Sequence, residues 1–195
     1  MKRVAYCLFT LPLLAIPACS PAGPNPVVVI ETSMGDMKVE LYEDKAPITV
    51  KNFLRYVDEK HYDGTIFHRV ISDFMIQGGG FEPGMVEKGE THGQIRNEAS
   101  NGLANERGTT AMARTNNPDS ATDQFFINVK NNPDLNRGGN NPGYAVFGKV
   151  IEGMDVADKI RQVDTTTVKG HKDVPTEDVV IKSIRRVANE KADAK

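Results

Sequence analysis

Short stretches in which apolar and polar residues alternate recur along the chain. Met37, Val39 and Leu41 alternate with polar neighbours, which is the period-two pattern of a strand with one buried face. Further short apolar runs, several of them separated by turn residues, cover 27–30, 66–71, 75–77, 109–113, 124–129, 145–151 and 179–184. Many short strands with few helices predict an antiparallel sheet that closes into a barrel.

Two segments have the spacing of amphipathic helices. Pro47 suits the first turn of a helix, because the N–H that proline lacks would be unpaired there. Four apolar residues follow at helical spacing and share one face: Val50, Phe53, Leu54 and Val57. We expect this helix to end near residues 61–64 and a second helix to run from about Met154 to Arg161.

The first residues have the pattern of a secretory signal. Two basic residues precede an apolar run over 4–17, which is too short to span a membrane. Cleavage after Ala18 would leave Cys19 as a lipidated N-terminus, whereas cleavage after Ala22 would be ordinary export. We favour ordinary export, with lipidation of Cys19 as the open alternative. Export through either route predicts a periplasmic location.

The sequence beyond the signal predicts a single domain. We expect a signal peptide and the start of a linker over 1–22, the rest of the linker over 23–26, a domain over 27–187 and a disordered tail over 188–195. The only cysteines, Cys7 and Cys19, lie in or beside the signal, so we expect no disulfide or thiol nucleophile in the domain.

Composition and charge narrow the classes of partner. The net charge of −2 gives no basic excess for nucleic acid or for a membrane surface. The four histidines are His61, His68, His92 and His171. None of them belongs to a recognisable metal-ligand motif. We therefore expect no nucleic acid partner, no membrane span and no metal, and a monomer by default.

The densest chemical signal is the run FHRVISDFMIQGG at 67–79. Strand alternation predicts that Phe67 and Arg69 share one face and that His68, taken as structural, lies on the opposite face. A cation among large apolar side chains costs free energy unless its charge is paired or used. Arg69 is therefore a candidate functional group, and the alternative is a packed stem whose head reaches water.

This run resembles the first signature of the cyclophilins. Residues 108–114 together with 123–127 resemble the second signature, and 146–150 resemble the third. The likeness extends from residue 27 to about 187. It implies a mainly β fold, a closed eight-stranded antiparallel β-barrel capped by two α-helices. It also implies a peptidyl-prolyl cis-trans isomerase of the bacterial periplasmic type that needs no cofactor.

The resemblance also implies which positions form the active groove. Arg69 matches the catalytic arginine of the family, and Gln77 is placed with it as a catalytic residue. The positions that match its substrate-binding residues are Phe74, Met75, Ala113, Arg114, Thr115, Gln124, Phe126, Leu135 and Tyr144. Asp134 departs from the family, since many members have an aromatic residue there, and we therefore expect weak binding of the macrocyclic ligand cyclosporin.

The function that follows is acceleration of X-Pro isomerisation during the folding of exported proteins. The expected partners are proline-containing segments of unfolded or folding proteins. A non-catalytic chaperone module that only binds proline-containing peptides is the alternative. Arg114 adds the hypothesis that the groove tolerates acidic neighbours of the proline.

Overall fold

Eight antiparallel strands close into one barrel within the residues described by the computed structural model, 24–89 and 91–188. The strands of the chain are β1 (Val27–Thr32), β2 (Gly35–Leu41), β3 (Thr65–Ile71), β4 (Met75–Gly78), β5 (Phe81–Glu82), β6 (Val86–Glu87), β7 (Thr109–Met112), β8 (Phe125–Asn128), β9 (Val146–Glu152), β10 (Thr165–Val168), β11 (His171–Pro175) and β12 (Val180–Arg186). Around the barrel the order is β1-β12-β3-β4-β8-β7-β9-β2. The predicted barrel is confirmed. The signal and lipidation predictions, and nearly all of the predicted tail, lie outside the described residues.

Two α-helices, α1 (Pro47–Asp58) and α2 (Met154–Ile160), accompany the barrel as predicted. Phe53 of α1 joins the helix to the barrel core, because its ring lies within 5.5 Å of the rings of Phe125 and Phe147. No helix among the described residues is long and apolar enough to cross a membrane.

Helix α1 ends a few residues earlier than its sequence pattern predicts. Lys60 adopts the left-handed backbone conformation with φ of 58°. The amide of His61 then donates to the carbonyl of Tyr56 at 2.9 Å. This arrangement pairs a carbonyl of the last turn and closes the helix.

Strand β3 contains a β-bulge that changes which side chains face outward. Phe67 pairs with Gly78 and Arg69 pairs with Gln77, so one extra residue, His68, is inserted opposite β4. Phe67 is fully buried in the barrel core, whereas His68 and Arg69 both face the same outer groove. The predictions that Phe67 and Arg69 share one face and that His68 and Arg69 lie on opposite faces are therefore both wrong, because a bulge interrupts the alternation.

The hairpin β10–β11 lies outside the barrel and was not predicted from the sequence. Val174 anchors it in a small apolar cluster with Ile66, Phe81 and Met85. The register of β10 with β11 shifts between the pairs Thr166–Val174 and Val168–His171. This stretch of β11 includes Asp173, whose backbone is left-handed with φ of 62°. A bulge of this kind redirects side chains, and the hairpin places Asp173 beside Arg69.

Candidate active site

A groove of about 630 Å³ lies on the outer surface of the barrel. It contains every catalytic or substrate-binding residue predicted from the sequence except Thr115, namely Arg69, Phe74, Met75, Gln77, Ala113, Arg114, Gln124, Phe126, Leu135 and Tyr144. Thr115 lies in a neighbouring loop, where its hydroxyl donates to Ser120 Oγ at 2.7 Å. The structure thus brings together residues that are up to 75 positions apart in the sequence.

The apolar part of the groove forms on two paired strands. Met75 on β4 and Phe126 on β8 are almost completely buried in a cluster separate from the barrel core. Leu135 and Tyr144 pack against this cluster, and the Phe126 and Tyr144 rings meet edge to face at 5.7 Å. A concave apolar surface of this kind suits a compact ring such as that of proline.

Arg69 stands beside this apolar surface with its charge accessible. Its Nε lies 3.8 Å from Oδ2 of Asp173, and the two side chains are 42% and 41% exposed. An ion pair exposed to this extent is weak. The carboxylate of Asp173 therefore orients the guanidinium but does not cancel its positive charge, as a buried ion pair would. Within the described residues, the guanidinium makes no hydrogen bond that would have to break before it reaches a ligand.

Two glutamines form the polar wall next to Arg69. The side-chain amide of Gln77 donates to Oε1 of Gln124 at 2.9 Å. Gln124 occupies space that only a glycine at position 80 leaves free, since a Cβ there would overlap the Gln124 amide. Gly80 therefore makes room for a groove side chain.

His68 is a groove residue that sequence reasoning placed elsewhere. It is 6% exposed, its ring lies 4.6 Å from that of Phe81, and its Nδ1 has no hydrogen-bond partner among the described residues. Burial lowers the pKa of His68 to about 4, and the positive charge of Arg69 acts in the same direction. His68 is therefore neutral at pH 7. Of these two neighbouring residues, only Arg69 carries a positive charge into the groove.

The structure adds the turn and first residues of β11 to the groove. Gly170, His171, Lys172 and Asp173 form one of its walls together with Phe81. No strand pattern in the sequence marks this hairpin, because β10 is a run of exposed and half-exposed threonines and a valine. Only the apolar residues at its far end, Val174 and Pro175, are buried.

Arg114 is held in the groove by uncharged groups. Its Nε donates to the carbonyl of Gly143 at 3.1 Å and its Nη1 donates to the carbonyl of Thr115 at 2.8 Å. Its guanidinium carbon lies 4.2 Å from the centre of the Tyr144 ring, within the range of a cation–π interaction. These contacts fix the side chain, and among the described residues no carboxylate pairs with its positive charge.

Asp134 lies in a 3₁₀ helix, Pro133–Leu135, at the edge of the groove. Its side chain is exposed and does not line the groove, whereas the next residue, Leu135, does. The position therefore supplies no apolar wall. Weak cyclosporin binding stays a prediction.

Comparison with known proteins agrees with this geometry. Residues 27–186 match the family model described as cyclophilin type peptidyl-prolyl cis-trans isomerase/CLD. The chain belongs to the cyclophilin family. A peptidyl-prolyl cis-trans isomerase of Acinetobacter baylyi is 56% identical over 185 residues, covering 95% of both chains. Peptidyl-prolyl cis-trans isomerase B of Escherichia coli is 56% identical over 161 residues, covering 81% of this cyclophilin and 96% of the relative.

A solved structure supports the same assignment. The cyclophilin type isomerase of Cryptosporidium parvum, crystallised in the presence of the dipeptide Ala-Pro, matches with a TM-score of 0.68 and 31% identity. The match covers 84% of this cyclophilin and 99% of that chain. The activity of this cyclophilin is peptidyl-prolyl cis-trans isomerisation.

Proposed function

We propose that the guanidinium of Arg69 accelerates rotation about X-Pro bonds whose proline ring sits against Met75 and Phe126. The observation that carries this proposal is that an accessible cation and a buried apolar surface share one groove. The cation and the apolar surface serve different parts of the same substrate. The apolar wall holds the ring, and the cation acts on the bond that rotates.

The chemistry of the imide bond explains how a single cation can accelerate its rotation. Resonance gives the bond a rotation barrier of about 18–20 kcal/mol. When the bond is twisted out of plane, the proline nitrogen regains a localised lone pair and can accept a hydrogen bond. A guanidinium placed near that nitrogen stabilises the twisted state more than the planar one, and only such a difference speeds the reaction.

The glutamine pair would position the substrate. Gln77 and Gln124 hydrogen-bond to each other beside Arg69, so their remaining amide groups can bind peptide carbonyls or amides. Hydrogen bonds to the substrate peptide on both sides of the proline would fix its orientation relative to Arg69, which lowers the entropic cost of reaching the transition state. No proton is transferred and no covalent intermediate forms, so the rate should be nearly constant between about pH 6 and pH 8, above the pKa of about 4 at His68.

Replacement of Arg69 tests the proposal directly. We expect Arg69→Ala to lower kcat/KM about a hundredfold, because loss of one preorganised donor costs about 3 kcal/mol in the transition state. The exchange rate of a short X-Pro peptide, measured by NMR without a coupled protease, gives kcat/KM. The melting temperature should change little, since the side chain is 42% exposed.

Two further variants interpret the result. Arg69→Lys keeps the charge but not the planar fork, so its activity should fall between those of wild type and Arg69→Ala. Arg55→Ala removes an exposed arginine of α1 and should leave exchange unchanged. Wild-type activity in Arg69→Ala would remove Arg69 from this role, and peptide binding without exchange in the wild type would favour the non-catalytic chaperone module.

We also propose that this isomerase works on folding proteins in the periplasm. A basic start followed by an apolar run over 4–17 supports export, and Cys19 supplies the alternative of a lipid anchor. The domain proposed over 27–187 is supported by the family match over 27–186. Intact mass of the exported protein distinguishes cleavage after Ala22 from cleavage after Ala18. Palmitate labelling that depends on Cys19 would contradict ordinary export and support the lipid anchor instead.

A further inference from the structure

The walls of the groove are positively charged, although the whole chain has a net charge of −2. Three cationic side chains line the groove, those of Arg69, Arg114 and Lys172. Asp173 is the only carboxylate that lines it among the described residues. The sign of the charge in the groove is therefore opposite to that of the protein as a whole.

The cations of the groove differ in whether a carboxylate lies beside them. Asp173 stands 3.8 Å from Arg69 and offsets part of its charge. Arg114 is fixed by two backbone carbonyls and by the face of Tyr144, none of which carries a charge. Its position is therefore set while its attraction for an anion remains.

Lys172 supplies the second uncompensated charge. It is exposed on the β10–β11 hairpin, next to Asp173 and within the groove wall. No hydrogen bond or salt bridge within the described residues involves its ammonium group, whereas Lys38, Lys88 and Lys159 each pair with a carboxylate. The two uncompensated cations thus belong to different structural elements, with Arg114 next to the Phe126–Tyr144 side and Lys172 on the hairpin.

We propose that the groove selects proline segments with aspartate or glutamate close to the proline. The inference rests on the isomerase function proposed above and names its substrate class. A cationic cleft raises the local concentration of anionic chains and speeds their encounter. Each exposed pair adds a modest gain, equivalent to about a two- to fivefold preference.

A scan of short peptides tests this selectivity. Each peptide has one X-Pro bond and either Glu or Gln at one position, from three residues before the proline to three after it. We expect at least one position on each side at which the Glu peptide has a two- to fivefold higher kcat/KM than the Gln peptide. The ratio should fall towards one in 1 M NaCl, where the screening length is about 3 Å.

Charge-removing variants assign the preference to its residues. Lys172→Gln should reduce the Glu/Gln ratio on one side of the proline, and Arg114→Gln should reduce it on the other. Lys51→Gln removes an exposed charge of α1 that does not line the groove and should leave both ratios unchanged.

The two proposals fail in different ways. If the Gln peptides are not isomerised, the proposed function fails. If the Gln peptides are isomerised and Glu gives no advantage at any position, the function stands and the charge selectivity is overturned. A preference that survives in Lys172→Gln and Arg114→Gln, or that does not respond to salt, overturns the assignment to these side chains.

Discussion

Single residues decide whether the groove has its present shape. Arg69 reaches the groove because His68 is inserted opposite β4, and this bulge cannot be read from the alternation of the sequence. The family resemblance did place Arg69, Gln77 and the apolar positions in one groove, since it depends on residue identity at fixed spacing. It did not identify His68 as a groove residue, because its outward orientation depends on the local register of two strands.

Gly80 gives a test at this scale. We expect Gly80→Ala to displace the Gln124 amide and break its hydrogen bond with Gln77. Loss of one neutral hydrogen bond of about 0.5–1.5 kcal/mol should lower kcat/KM roughly two- to tenfold. Peptide exchange by NMR measures this change in kcat/KM. Gly89→Ala is the control, since a Cβ at Gly89 meets no atom of the other described residues within 4 Å. Equal activity in the two variants would contradict the steric role of Gly80.

At the scale of elements, the barrel was predictable and the β10–β11 hairpin was not. Barrel strands such as β2 alternate buried and less buried residues, with Met37, Val39 and Leu41 inward. The hairpin has no such pattern, because it is held mainly by Val174 at one end and leaves β10 exposed. One wall of the groove therefore depends on an element whose pairing follows from tertiary contacts.

The attachment of the hairpin can be weakened separately. Val174→Ala should lower the free energy of unfolding by about 1–3 kcal/mol through loss of buried methyl groups. It should also lower kcat/KM, because the groove wall from Gly170 to Asp173 becomes less ordered. Val156→Ala in α2 is the matched control, since that valine is buried in the main core and does not line the groove.

Urea unfolding and peptide exchange on the same samples separate the two effects. Both variants should be destabilised, and only Val174→Ala should be less active per folded molecule. A wild-type kcat/KM in Val174→Ala would show that the hairpin is dispensable for turnover.

For the molecule as a whole, buried titratable groups make stability depend on pH. His68 has a pKa of about 4 in the folded state because it is buried, whereas an unfolded histidine has a pKa of about 6.5. Below about pH 6.5 the unfolded chain binds a proton that the folded chain does not. Stability is therefore highest above that pH and falls as the pH drops towards 4.

We expect the free energy of unfolding to be about 2–3 kcal/mol lower at pH 4.5 than at pH 7 on account of His68. Urea unfolding at the two pH values measures the difference, and His68→Gln should remove most of it. Asp123 should contribute only at lower pH. Although its burial alone would raise its pKa, hydrogen bonds from His61 and Thr122 hold the pKa of Asp123 below its usual value. An unchanged difference in His68→Gln would assign the pH dependence to other groups.

Ring closure of the eight strands has a consequence for the way in which a peptide can bind an isomerase. Each barrel strand has a hydrogen-bonded neighbour on both sides, so the barrel offers no open edge on which an extended peptide could add a new strand. A peptide therefore contacts the barrel through side-chain surfaces and isolated polar groups, from which it can dissociate after each turnover. Within the barrel, closure removes the row of unpaired backbone groups through which strands of different chains associate.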